Sequence, residues 1–144
     1  MTRILTVDDS RAVRSFVIKA LANTGYEIIQ AEDGVEGLAK LAEGPVDLIL
    51  LDVTMPNMDG PTMLAEIRSK GDQTPVIALT AEASTAVIGT MMQAGISDYV
   101  LKPFKPDGLT SKVEKALKAA GASSAGGGTA MVAEAEPEPS RIPA

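Results

Sequence analysis

Leu48-Ile49-Leu50-Leu51-Asp52, followed by Val53-Thr54-Met55-Pro56-Asn57-Met58-Asp59-Gly60, is the stretch that decides the fold. A short unbroken apolar run that meets Met-Pro and then Asp-Gly describes a strand buried on both faces and ending in a tight loop. Its last residue, Asp52, is a carboxylate where the sheet meets solvent. Loops commonly begin with Asp for local reasons, so Asp52 acquires meaning only from what lies beside it.

Working outward, the same kind of run recurs. Arg3-Ile4-Leu5-Thr6-Val7 leads into Asp8-Asp9-Ser10, Glu27-Ile28-Ile29-Gln30-Ala31 leads into an Asp-Gly pair, Pro75 to Thr80 forms a fourth strand, and Asp98 to Lys102 a fifth. Between them lie helical periods. Val13, Phe16, Val17, Ala20 and Leu21 share one face of a first helix, which Gly25 is placed to terminate. Val35, Leu38, Ala39 and Ala42 face inward on a second helix, with Leu41 flanking and Gly44-Pro45 as the stop. Met63, Leu64 and Ile67 mark a third helix from Gly60-Pro61 to Gly71, and Ala83 to Ala94 a fourth capped by Gly95. Leu109, Val113 and Leu117 face inward on a fifth, from Pro106 to Ala119. Five strands alternating with five helices predict an α/β fold with a doubly wound parallel sheet. In such a sheet a ligand sits outside the carboxyl ends of the strands, where the winding reverses.

Composition narrows the function. The chain has 144 residues, 45% of them apolar but only 3% aromatic, so aliphatic residues and Met must fill the core. There is no Cys and no His, which removes thiol chemistry, the usual general base and the usual transition-metal ligand. A net charge of −6 argues against nucleic acid as a partner. No apolar run is long enough to span a membrane and the first residues lack a signal peptide's core, so a cytoplasmic location is expected. After Ala120 the composition becomes Gly/Ala/Ser-rich and then, at Glu134-Ala135-Glu136-Pro137-Glu138-Pro139, acidic and Pro-rich. The expected organisation is a folded domain over 1–120 and a disordered tail over 121–144.

The strand ends carry the chemistry. Asp8 and Asp9 follow strand one, Asp52 ends strand three, Thr80 strand four and Lys102 strand five. If strands one and three are neighbours, three carboxylates converge and need a cation. Oxygen-only ligands point to magnesium, or manganese. A carboxylate beside such an ion can attack phosphorus and form an acyl phosphate, with Lys102 and Thr80 the right residue types to neutralise the transferring oxygens. Each piece also has a local reading: Asp8, Asp9 or Ser10 as the cap of helix one, Thr80 as the cap of helix four, Lys102 as a solvated lysine, and Asp59 as part of the turn into helix three.

Val7-Asp8-Asp9-Ser10, Leu51 to Gly60, Leu79-Thr80-Ala81 and Leu101-Lys102-Pro103-Phe104 together resemble the receiver domain of bacterial two-component response regulators, over about residues 3–119. The resemblance implies a flavodoxin-like sheet of order 2-1-3-4-5. It implies that Asp52 is the phosphoacceptor, that Asp8, Asp9, Asp52 and the Thr54 carbonyl bind magnesium, and that Thr80 and Lys102 contact the phosphoryl group. It further implies a cis Lys102-Pro103 bond, a switch in which Thr80 moves and Tyr99 follows, and tuning of hydrolysis by Thr54 and Glu82. The phosphoryl donor would be a histidine kinase or phosphotransfer protein, to which Arg11, Arg14 and Lys19 either help dock or present an ordinary solvated face.

Helix four is unusual. No charged residue occurs from Ala83 to Ser97, and Ala86, Val87, Ile88, Met91, Met92 and Ala94 span an arc of roughly 240° at 100° per residue. That exceeds what packing on a sheet uses, which favours an interface with an effector or a second copy of the chain. The alternative is a covered helix with Gly89 allowing close approach. The expected protein is a stand-alone CheY-like response regulator, not an enzyme beyond its own phosphorylation and dephosphorylation. It would signal through helix four, strand five and helix five, with chemotaxis or motility as the leading role on the likeness of the Met55 to Gly60 loop. The alternatives are a phosphorelay intermediate or phosphate sink, and a scaffold binding through helix four independently of phosphorylation.

Overall fold

The computed structural model describes residues 2–53, 55, 57–81 and 85–124. In chain order the elements are β1 (Arg3–Val7), α1 (Arg11–Ala20), a 3₁₀ turn (Ala22–Thr24), β2 (Glu27–Ala31), α2 (Gly34–Glu43), β3 (Leu48–Asp52), α3 (Gly60–Ser69), β4 (Val76–Thr80), α4 (Thr85–Gln93), β5 (Asp98–Leu101) and α5 (Pro106–Ser124). All strands are parallel, in the order β2-β1-β3-β4-β5. This is the doubly wound α/β architecture that the alternation of apolar runs and helical periods predicts.

β3 lies at the centre and every one of its residues is buried. Its alternate side chains feed two cores, because successive residues of a strand point to opposite faces. Leu48 and Leu50 join Val17 of α1, Leu21 just after it, and Leu109 and Val113 of α5. Ile49 and Leu51 join Met63, Leu64 and Ile67 of α3 and Met91 of α4. The uninterrupted apolar run that marked β3 in the sequence thus reflects burial under helices on both sides.

Thr6, within β1, is fully buried, and its Oγ1 has no hydrogen-bond partner among the described residues. A buried hydroxyl left unpaired is costly, and Val has nearly the same shape. Thr6→Val is therefore expected to stabilise the protein by about 1 kcal/mol, read as a higher urea midpoint at unchanged slope.

Several expectations shift in detail. α1 ends at Ala20, where the Leu21 N–H bonds to Val17, and Gly25, at φ 83°, ends the following 3₁₀ turn. Phe16 is on the flank of α1, partly exposed, with its ring edge-on to Phe104 at 5.1 Å between centroids. The inner face of α2 is rotated from the expected one. Gly34 and Gly37 are buried, Ala39 and Ala42 are exposed, and Val35 is 54% exposed. The helix sits so close to its neighbours that a Cβ at Gly37 would lie 2.6 Å from Met63 Cε and 3.2 Å from Val7 Cγ2. Apolar periodicity does not register a glycine face.

α5 continues to Ser124, past the composition change at Gly121. Residues 125–144, where most of the expected tail falls, lie outside the described residues, as do Thr54, Glu82 and Ala83. Gly95 ends the turn after α4 at φ 103°, its N–H shared between the Met91 and Met92 carbonyls. No helix among the described residues is long and apolar enough to cross a membrane.

Candidate phosphorylation site

The strand registers bring the candidate residues together. Val7 pairs with Leu51, so Asp8 and Asp52 follow side by side on adjacent strands. Asp52 pairs with Leu79, one residue before Thr80, and Thr80 pairs with Leu101, one residue before Lys102. Four strands therefore deliver Asp8, Asp9, Asp52, Thr80 and Lys102 to one edge of the sheet.

Asp8 is fully buried, Asp52 is 5% exposed and Thr80 is buried, whereas Asp9 is exposed. Lys102 Nζ lies 2.9 Å from Asp8 Oδ2 and 3.0 Å from Asp52 Oδ1, with its side chain mostly covered. Lys102 is thus an internal counter-ion, and the solvated reading does not hold. One carboxylate oxygen from each of Asp8, Asp9 and Asp52 falls within 4.8 Å of the others.

The local readings resolve as well. Ser10 caps α1, its Oγ accepting from Val13 N at 3.2 Å, while Asp8 Oδ1 accepts from Ser10 N at 2.8 Å. Asp8 therefore shapes the turn with one oxygen and faces Lys102 with the other. Thr80 closes β4, and residues 82–84, between it and α4, lie outside the described residues. Asp59 caps α3 through Thr62 N, as the local reading expected.

The charge balance at the site is incomplete. Burial pushes the Asp52 carboxyl up to about 6, repulsion from Asp8 adds to this, and Lys102 only partly offsets them. Burial disfavours the Lys102 ammonium, but its hydrogen bonds to Asp8 and Asp52 outweigh that and hold its pKa above the ordinary lysine value. A hard divalent cation among three carboxylate oxygens would supply the missing charge, and the all-oxygen donor set fits magnesium. Among the described residues, Asp8, Asp9 and Asp52 are the ones that would hold it. The fourth expected ligand, the Thr54 carbonyl, is outside the described set.

Sequence reasoning missed the support behind Asp8. Arg14 is buried, not a solvated or docking residue. Its Nη1 donates to the Asp8 carbonyl at 2.5 Å, and its Nε donates to Gln30 Oε1 at 3.1 Å. No spacing signal links residues 14 and 30; only the β1–β2 pairing does. Gly60 provides a second unforeseen support. Its N–H bonds to the Val53 carbonyl at 2.9 Å, and a Cβ there would collide with the Asp52 carbonyl oxygen. The obstructing atom is backbone and cannot rotate away. Gly60→Ala is expected to destabilise by roughly 2–3 kcal/mol, measured by thermal melting of otherwise identical protein.

The model of the response regulator receiver domain matches residues 4–114. The chain belongs to the response regulator receiver family. Receiver domains bind Mg²⁺ at an acidic pocket of this kind and interact with histidine kinases or phosphotransfer proteins. They are signalling domains rather than conventional enzymes. Response regulator MprA of Mycobacterium sp. (strain KMS) is 40% identical over 116 residues, covering 81% of this chain and 50% of that protein. MprA of Mycobacterium leprae (strain TN) is equally similar. The chain thus spans about half the length of the curated relatives it matches. Among solved structures, the Vibrio cholerae chemotaxis protein CheY4 superposes with a TM-score of 0.76 at 34% identity, covering 81% of this chain and 98% of that one. A CheY-like receiver domain protein from Methanospirillum hungatei JF-1 gives 0.79 at 31% identity, covering 83% and 96%.

The Lys102–Pro103 peptide is cis, as the family resemblance implies. Tyr99 is half-buried on β5, pairs in register with Ala78, and has Lys112 Nζ 5.4 Å from its ring centroid.

Proposed function

We propose that Asp52 accepts a phosphoryl group from a phosphohistidine of a kinase or phosphotransfer protein. The observation that carries this is the contact of a buried Asp52 carboxylate with Lys102 Nζ at 3.0 Å, beside two further carboxylates. In the transfer the P–N bond of the donor breaks as a P–O bond to Asp52 forms, and the imidazole leaves with the electron pair and takes a proton from solvent. Magnesium, held by Asp8, Asp9, Asp52 and the Thr54 carbonyl, would supply positive charge against the phosphoryl oxygens. Lys102 already holds an ammonium against Asp52 Oδ1 and needs little reorganisation to serve an added oxygen. The Thr80 hydroxyl, at the end of the adjacent strand, contacts the group from the other side.

A doubly charged group at Asp52 then draws Thr80 toward it, Tyr99 fills the vacated space, and the face formed by α4, β5 and α5 changes its affinity for a protein partner. α4 supports this output role. Met91 is buried while Met92, next to it, is 59% exposed, and a Cβ at Gly89 would meet nothing within 4 Å among the described residues, so no close approach there accounts for that glycine. An exposed, adaptable Met suits binding of an effector or a second copy of the chain. A stand-alone regulator of chemotaxis or motility is supported by the CheY4 neighbour, which this chain covers almost completely. A regulator carrying a further domain is the second reading, supported by the half-covered MprA relatives.

The test is incubation of the full chain with acetyl phosphate and Mg²⁺, followed by intact-mass measurement and mapping of the hydroxylamine-labile group. One phosphoryl group on Asp52 is expected. Uptake at another residue, or none, overturns the reading.

A further inference from the structure

The described residues between Asp52 and α3 are fastened at two places. Gly60 is tied back to Val53, as described above. The second fastening comes from α2. Asp33 caps that helix, its Oδ1 accepting from Glu36 N at 2.8 Å, while its Oδ2 accepts from Asn57 Nδ2 at 2.7 Å. Asn57 takes the left-handed conformation at φ 67°, which Asn tolerates better than most residues. One residue further along each segment, Gly34 N donates to the Met58 carbonyl at 3.2 Å. A Cβ at Gly34 would stand 2.8 Å from that same carbonyl oxygen, so the two backbones approach as closely as a glycine allows. Two consecutive residues of the loop are therefore bonded to two consecutive residues at the start of α2.

The Asp33–Asn57 bond is exposed, and exposed hydrogen bonds contribute little to global stability. Its position is what matters. The clasp holds Asn57 and Met58, between Asp52 and α3, against the start of α2, so these two residues need not be ordered when a ligand arrives, and ordering is what weakens binding. Asp33 remains ionised to hold it: the backbone hydrogen bond from Glu36, and then the side-chain bond from Asn57, keep its carboxyl below the ordinary range.

We propose that Asp33 and Asn57 are positioning residues of the phosphorylation site, holding the loop after Asp52 ready for the cation and the phosphoryl group. This rests on the reading that Asp52 takes up phosphoryl with magnesium. Two substitutions open the clasp by different routes. Asp33→Ser keeps a hydroxyl to cap α2 but is too short to reach Asn57. Asn57→Gly keeps the left-handed backbone without strain and removes the donor.

The experiment is calorimetric titration of the full chain with MgCl₂ for the unmodified protein, each single variant and the double variant, with a thermal melt of each. Each single change is expected to weaken Mg²⁺ binding 3–10-fold. The double variant should be no weaker than the worse single, because both remove the same bond. Melting should move little, which separates positioning from a structural role. Affinities within twofold of the unmodified chain, or losses that multiply in the double variant, overturn the proposal. If the unmodified chain itself binds no Mg²⁺, the phosphorylation reading fails instead.

Discussion

Asp52→Asn is expected to lower phosphoryl uptake by more than about 100-fold and, in metal-free buffer at neutral pH, to raise the stability of the protein. The first effect follows because the amide is no nucleophile, although it keeps the shape of the carboxylate. The second follows from the cost of the charge. An Asp in the unfolded chain loses its proton near 3.9, whereas burial and then Asp8 push Asp52 up to about 6 in the fold. Between these values the folded protein holds a proton that the unfolded chain has released. The stability from this group is therefore fully present in acid, and is lost as pH rises through about 6. Asn removes that penalty and sacrifices one contact to Lys102, leaving a net gain of roughly 1–2 kcal/mol at pH 7.5. Parallel urea melts of both proteins at pH 4.5 and 7.5 check it. The gap should open only at the higher pH, and a destabilised variant at pH 7.5 contradicts the electrostatic account.

Removal of magnesium is expected to have the second large effect. With chelator present, uptake from acetyl phosphate should fall by about 100-fold or more, since three carboxylates and one ammonium leave an incoming anion facing net negative charge. The ion must also displace the Asp52 proton. Its affinity should be constant above pH 7 and fall about tenfold per unit below about 6. Titrations at pH 5, 6, 7 and 8 test this. An affinity independent of pH over that range would mean that Asp52 is not a ligand.

Much of this was legible from residues alone, for physical reasons. Strands buried on both faces must be continuously apolar, so β1, β3 and β4 declared themselves, and the parallel order then placed Asp8, Asp52, Thr80 and Lys102 along one edge. What stayed hidden depends on contacts between distant residues or on absent side chains. Arg14 carries the same side chain as a solvated arginine, and only the approach of Gln30 and the Asp8 carbonyl makes it a buried support. Gly34 and Gly37 carry no apolar signal, so of the inward face expected for α2, Val35, Leu38, Ala39 and Ala42, only Leu38 packs on the core. The Asp33–Asn57 contact joins residues 24 apart, so no local pattern announces it.

The central claim is that charge added at Asp52 is transmitted to α4. The most direct test is an amide NMR titration of the full chain with Mg²⁺ and then beryllofluoride, a stand-in for the phosphoryl group, with Asp52→Ala as control. The account predicts shifts at Asp8, Asp9 and Asp52 on adding Mg²⁺, then a second set spreading through Thr80 and Tyr99 to Met91 and Met92. The control should lack the second set. Beryllofluoride shifts that stop at the strand ends, or that persist in Asp52→Ala, would contradict it.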